Sequence, residues 1–125
     1  MRWLIWGGVT EAAAEAMRRH GHTVLRAGEA GVPEAASPGE VLRAAHQKQL
    51  DVLTDDAALV HALFEERPKF IRTLVYLQLA GGEVEQDDAV DRLFERYKRL
   101  SPQRVYTVTE TRVKVRQGPP AVSGG

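Results

Sequence analysis

Apolar positions change their period along this chain, and the changes mark its elements. Trp3-Leu4-Ile5-Trp6 is a continuous apolar run ending at Gly7-Gly8, the pattern of a strand buried on both faces. Thr10 then offers an N-cap and Glu11 suits a first helical turn. The alanine-rich stretch from Glu11 to His20 closes on Arg18-Arg19-His20-Gly21, a basic last turn before glycine. His22 to Leu25 predicts a second strand, and residues 27–36, rich in Ala, Gly, Glu and Pro, read as a loop. Ser37-Pro38-Gly39-Glu40 predicts a helix start, with Ser as cap, Pro in the first position and Glu closing a capping box. That helix carries Val41, Leu42, Ala44 and Ala45 toward Gln49. Asp51-Val52-Leu53-Thr54 predicts the third strand, and Asp55 caps a helix with Leu59, Val60, Leu63 and Phe64 at helical spacing before Pro68.

Ile71 to Leu77 predicts the fourth strand, leaving through Gly81-Gly82. Ala89, Val90, Leu93, Phe94, Tyr97 and Leu100 mark an amphipathic helix over 84–100, stopped by Ser101-Pro102. Arg104 to Arg116 alternates around Glu110-Thr111, the pattern of an antiparallel hairpin; Glu-Thr is not a favoured two-residue turn, which points to a longer loop. The order β-α-β-α-β-α-β-α-β-β defines an α/β fold. It is a three-layer sandwich with a mostly parallel central sheet, helices on both faces and a C-terminal antiparallel hairpin. In such a sheet ligand sites lie beyond the carboxyl ends of the strands. That rim collects Gly7, Gly8, Thr10, Asp55, Asp56 and the start of the Ser37 helix.

Composition sharpens this picture in a few places. The 125 residues suit one domain, assigned to 1–117, with 118–125 expected to form a flexible tail. Hydrophobic residues at 43% and charged residues at 27% fit a globular domain rather than a disordered chain. No apolar run approaches the roughly 20 residues of a membrane span. The opening residues are too short for a signal-peptide core, so a cytoplasmic protein without membrane partners is expected. The absence of cysteine excludes disulfides, a thiol nucleophile and a Cys-based zinc site. Net charge is zero, yet residues 1–50 carry six basic and five acidic groups, 51–91 three and ten, and 92–125 eight and two. Opposed poles of this kind permit a nucleic-acid partner.

Several constellations carry candidate chemistry. Gly7, Gly8 and Thr10, between a strand and a helix, are placed to bind a phosphate on backbone amides, although the third glycine of the dinucleotide fingerprint is missing. The same residues also make an ordinary tight turn. His20 and His22 suit dipole compensation and strand entry, while His46 and His61 sit on separate helices with no carboxylate at metal spacing. No Gly-x-Ser-x-Gly elbow supports a serine triad. Arg112, Lys114 and Arg116 align on one side of the last strand with Val113 and Val115 on the other. Three aligned cations suit phosphate contacts, or guard an edge strand against aggregation.

His20-Gly21-His22-Thr23-Val24, Leu53-Thr54-Asp55-Asp56 and the closing Thr109 to Arg116 hairpin, taken with the whole layout, resemble small bacterial PIN-like proteins of the DUF5615 group, related to toxin nucleases of the VapC type. The resemblance implies metal-dependent RNA hydrolysis, in which carboxylates from several strand ends hold Mg²⁺ or Mn²⁺ and activate water. The family's acid after the first strand is replaced by Trp6-Gly7-Gly8-Val9; near Ser37 only Glu40 remains; after the third strand Asp56 matches, Ala58 replaces the second aspartate and Asp55 is an extra neighbour. Glu40 and Asp55 also have capping roles. The expected function is therefore a degenerate PIN-like domain, catalytically weak or inactive, acting through protein or RNA contacts in a toxin–antitoxin-like setting. An antitoxin-like protein or RNA is the expected partner, with a homodimer as an expected assembly. No cofactor is expected unless the domain is active with Mg²⁺ or Mn²⁺. One alternative is a ribonuclease with a rearranged cluster of Glu40, Asp55, Asp56 and Asp87 or Asp88. Another is a small nucleotide- or phosphate-binding module at Gly7-Gly8.

Overall fold

The computed structural model describes residues 1–120. Eleven elements follow one another: β1 (Arg2–Trp6), α1 (Glu11–Arg19), β2 (Thr23–Arg26), α2 (Ala27–Ala30), α3 (Pro38–Gln47), β3 (Asp51–Thr54), α4 (Ala57–Glu65), β4 (Leu74–Leu77), α5 (Glu83–Arg96), β5 (Arg104–Val108) and β6 (Val113–Gln117). They build a six-stranded sheet ordered β2-β1-β3-β4-β5-β6. The first five strands are parallel and β6 runs antiparallel to β5. This is the α/β sandwich that the alternation of periods predicts.

Side-chain alternation divides the core into two layers. Trp3, Ile5, Leu53, Val75, Leu77, Tyr106 and Val108 face α1 and α5, whereas Leu4, Val52, Leu74 and Val105 face α3 and α4. Trp3 and Leu4 are both fully buried, as the unbroken apolar run of β1 requires of a strand covered on two faces.

Most helix ends follow their caps. Thr10 Oγ1 accepts from the Ala13 amide at 3.2 Å, and the Ser37–Glu40 capping box forms in both directions, at 3.3 and 2.9 Å. The interval read as loop contains the one-turn α2, closed at Gly31 in the left-handed conformation (φ 72°). The expected strand from Ile71 shortens to Leu74–Leu77, because the Ile71 amide donates to His46 Nδ1 at 3.3 Å instead of joining the ladder. The last long helix ends at Arg96, not near Leu100: Tyr97 turns extended and sets its ring edge-on to Tyr106 at 5.4 Å. Tyr97 and Leu100 still pack against the core from non-helical backbone. Part of the expected flexible tail is tied down, since Gly118 donates to the Gln103 carbonyl at 2.9 Å and the Pro120 carbonyl accepts from Arg67 at 3.1 Å. The remainder, 121–125, lies outside the described residues. Among the described residues no helix is long and apolar enough to cross a membrane.

His22 and His46 are each engaged by neighbouring groups. His22 stacks on Phe94 at 4.8 Å, and its Nδ1 accepts from Trp3 Nε1 at 3.2 Å. Burial, then the nearby N-terminal ammonium and His20, hold its pKa below the usual histidine value. Burial, then Lys69 and Arg72, lower that of His46. A lowered folded pKa means that the unfolded chain takes up the proton first. The stability these two groups contribute is therefore complete above about pH 6.5 and falls as pH drops below it. The chemical denaturation midpoint should decrease between pH 7.5 and 5.5, and a His22→Asn/His46→Asn double variant should show a smaller decrease over this window. An equal decrease in both proteins would contradict this assignment.

Candidate functional site

The chain passes from β1 through α1 to β2 on one side of β1 and returns through α2 and α3 to β3 on the other, so the carboxyl ends of β1 and β3 form the sheet's switch point. Two loops meet there and bond to each other. Asp55 Oδ1 accepts the Gly8 amide at 2.7 Å, and Thr54 Oγ1 donates to the Trp6 carbonyl at 2.8 Å. A Cβ on Gly7 (φ +85°) would come 2.7 Å from Asp55 Oδ1, and one on Gly8 would come 2.5 Å from Oδ2. Gly7 suits its left-handed backbone, and a side chain at either position would displace the Asp55 carboxylate. Asp55 does not cap α4, contrary to the sequence expectation. The helix begins one residue later, and Asp56 accepts from the Ala58 amide at 2.9 Å, leaving Asp55 free to reach Gly8.

Gln86 of α5, which no sequence motif singles out, completes this junction. It is 4% exposed; its Oε1 accepts from the Thr10 amide at 2.8 Å and its Nε2 donates to the Gly8 carbonyl at 3.1 Å. The amides of Gly8 and Thr10 are therefore already engaged by this chain's own side chains, one of them an anion. Gln86→Ala would take the side-chain partner from the Thr10 amide and the Gly8 carbonyl, both only partly shielded from water, at a cost of about 1 kcal/mol. Chemical denaturation of the variant should register that loss, and an unchanged midpoint would contradict the bridging role.

The other acidic candidates are dispersed. Glu40 is held by the Ser37 amide, a bond that keeps its carboxyl below the usual glutamate range, with the Ser37 side chain and Arg43 adding to the effect. Asp87 pairs with Arg19 at 2.5 Å, and Asp88 is exposed on α5. Among the described residues no group of three or more His, Asp or Glu side chains is arranged to hold a metal ion. A hard dication needs several converging oxygens, so the residues present do not fit the metal that the family resemblance implies.

A second concave region lies on the α4 side of the sheet, beside Thr107 of β5 and Lys114 of β6. Thr107 and Lys114 are cross-strand partners there, and Tyr76 sits beside Thr107 on β4. Together with Val60, Gln78 and Arg116 they line a groove of about 440 Å³. The Arg116 guanidinium carbon lies 3.6 Å from the centroid of the Phe64 ring, a cation–π contact. Arg112 falls in the 109–112 loop rather than on β6, so the expected row of three becomes Lys114 and Arg116 on the strand with Arg112 at the turn above. The ion pairs among the described residues involve Arg18, Arg19, His20, Arg26 and Arg72, and none involves these three hairpin cations. Tyr106 of the hairpin is buried in the α1 and α5 layer, so the aromatic side chains beside this face come from β4 and α4. No family model, curated protein or solved structure matches the chain.

Proposed function

We propose that this chain is a degenerate PIN-like domain that binds RNA without cleaving it, through the open sheet face beside its C-terminal hairpin. The observation that carries this reading is the groove of Tyr76, Gln78, Thr107, Lys114 and Arg116, where cations with no carboxylate partner among the described residues adjoin aromatic and hydrogen-bonding side chains. Unpaired cations attract a phosphate backbone, and neighbouring aromatic rings and amides add contacts that a simple charged edge lacks. The dispersal of Glu40, Asp55 and Asp56 into caps and a loop bridge supports the noncatalytic half of the proposal. A toxin–antitoxin-like setting accords with the family resemblance and adds nothing to the chemistry of the groove.

The test is incubation of the full chain with labelled single-stranded RNA, in EDTA and in millimolar Mn²⁺. Binding in EDTA with the RNA left intact in Mn²⁺ is the expected result. Manganese-dependent cleavage that disappears in Asp56→Ala would overturn the noncatalytic reading in favour of the rearranged ribonuclease. Absence of binding under either condition would overturn the RNA reading itself.

A further inference from the structure

A cavity of about 360 Å³ opens at the carboxyl ends of β1 and β2, lined by Trp6 and Gly7 on one side and by Arg26, Ala27, Gly28 and Glu34 on the other. Its volume is within the range of small-molecule sites. Its chemistry is mixed in a particular way. Trp6 is half-buried and offers an indole wall, while Gly7 and Gly28 carry no side chain into the space. Arg26, the only cation of the lining, is ion-paired with Glu11 at 2.5 Å, and Glu34 adds a carboxylate. A flat ring can lie against Trp6 between the glycines, and the carboxylate of Glu34, in the loop after α2, can accept hydrogen bonds from a pair of sugar hydroxyls.

The anionic part of a nucleotide has no comparable place. Phosphates in such folds rest on the glycine-loop amides, and here the Gly8 amide is taken by Asp55 and the Thr10 amide by Gln86. We propose that this crevice binds a nucleoside, with its base against Trp6 and its sugar hydroxyls on Glu34, and that Asp55 excludes the phosphorylated form. The site is separate from the RNA groove and does not depend on it.

Trp6 provides the readout. Trp3 is fully buried, so a ligand in the crevice changes the emission of Trp6 alone. The full chain is titrated with adenosine, uridine and adenosine monophosphate while tryptophan fluorescence is followed, with calorimetry on the same samples. Saturable adenosine or uridine binding is expected, at least about tenfold tighter than the monophosphate, a gap set by one unpaired charge against Asp55. Glu34→Gln should weaken the nucleoside. Gly28→Leu should abolish binding without unfolding the chain, because nothing lies within 4 Å of a Cβ at that position. Asp55→Asn should narrow the gap to the monophosphate. No saturable signal at millimolar nucleoside, monophosphate binding as tight as nucleoside binding, or full binding in Gly28→Leu would each overturn the proposal.

Discussion

Reversing Lys114 and Arg116 to glutamate together should reduce RNA affinity on the order of a hundredfold at low salt, about tenfold for each reversed charge. Both side chains are exposed and neither belongs to an ion pair among the described residues, so the change removes no electrostatic partner inside the protein. The change also removes the contact of Arg116 with the Phe64 ring, worth about 0.5–1 kcal/mol at an exposed site. The double variant should therefore unfold close to the wild-type midpoint. The neutral pair Lys114→Gln/Arg116→Gln provides a quantitative check. Each lost phosphate contact on a single strand lowers the salt slope of log K by about 0.7, so the pair should lower it by about 1.4. An unchanged slope, measured by fluorescence anisotropy, would place the RNA on some other surface.

Asp51→Ala should be the most destabilising single substitution at a charged residue. Asp51 opens β3 and is 2% exposed; Oδ1 accepts from the Thr73 amide at 2.9 Å and Oδ2 from Arg72 at 3.2 Å. Truncation strands a buried backbone donor and a guanidinium whose Nε has no partner among the described residues. Arg72 is 32% exposed and water can solvate part of it, which moderates the loss to about 2–4 kcal/mol. Asp51→Asn preserves one acceptor for Thr73 and should recover more than half of that. Denaturant titration at pH 7 separates the two variants, and equal midpoints would mean that the carboxylate bonds contribute nothing net.

The fold was legible wherever one local rule acted alone. The run Trp3 to Trp6, the Ser37–Glu40 box and the alternation around Glu110-Thr111 each specify an element without help from the rest of the chain. Boundaries failed where a side chain from elsewhere took over a backbone group. His46 draws the Ile71 amide away from β4, and Tyr97 leaves its helix to meet Tyr106. The rim was half legible. Its residues Gly7, Gly8, Thr10, Asp55 and Asp56 do come together, but adjacency in sequence could not decide which aspartate caps α4. Gln86 escaped notice because a buried glutamine on a helix leaves no motif, and its partners are more than seventy residues away. The hairpin cations were evident from alternation, whereas Phe64 and Tyr76, which give their face its aromatic character, come from elements that only the sheet order brings beside them.

Titrating a fluorescently labelled single-stranded RNA with the wild-type chain in EDTA, across a range of salt concentrations, tests the central claim most directly. Three cations at the hairpin, Arg112, Lys114 and Arg116, predict saturable binding whose log K falls against log salt with a slope of about −2. No binding at low salt, or binding indifferent to salt, would contradict an RNA-contacting sheet face.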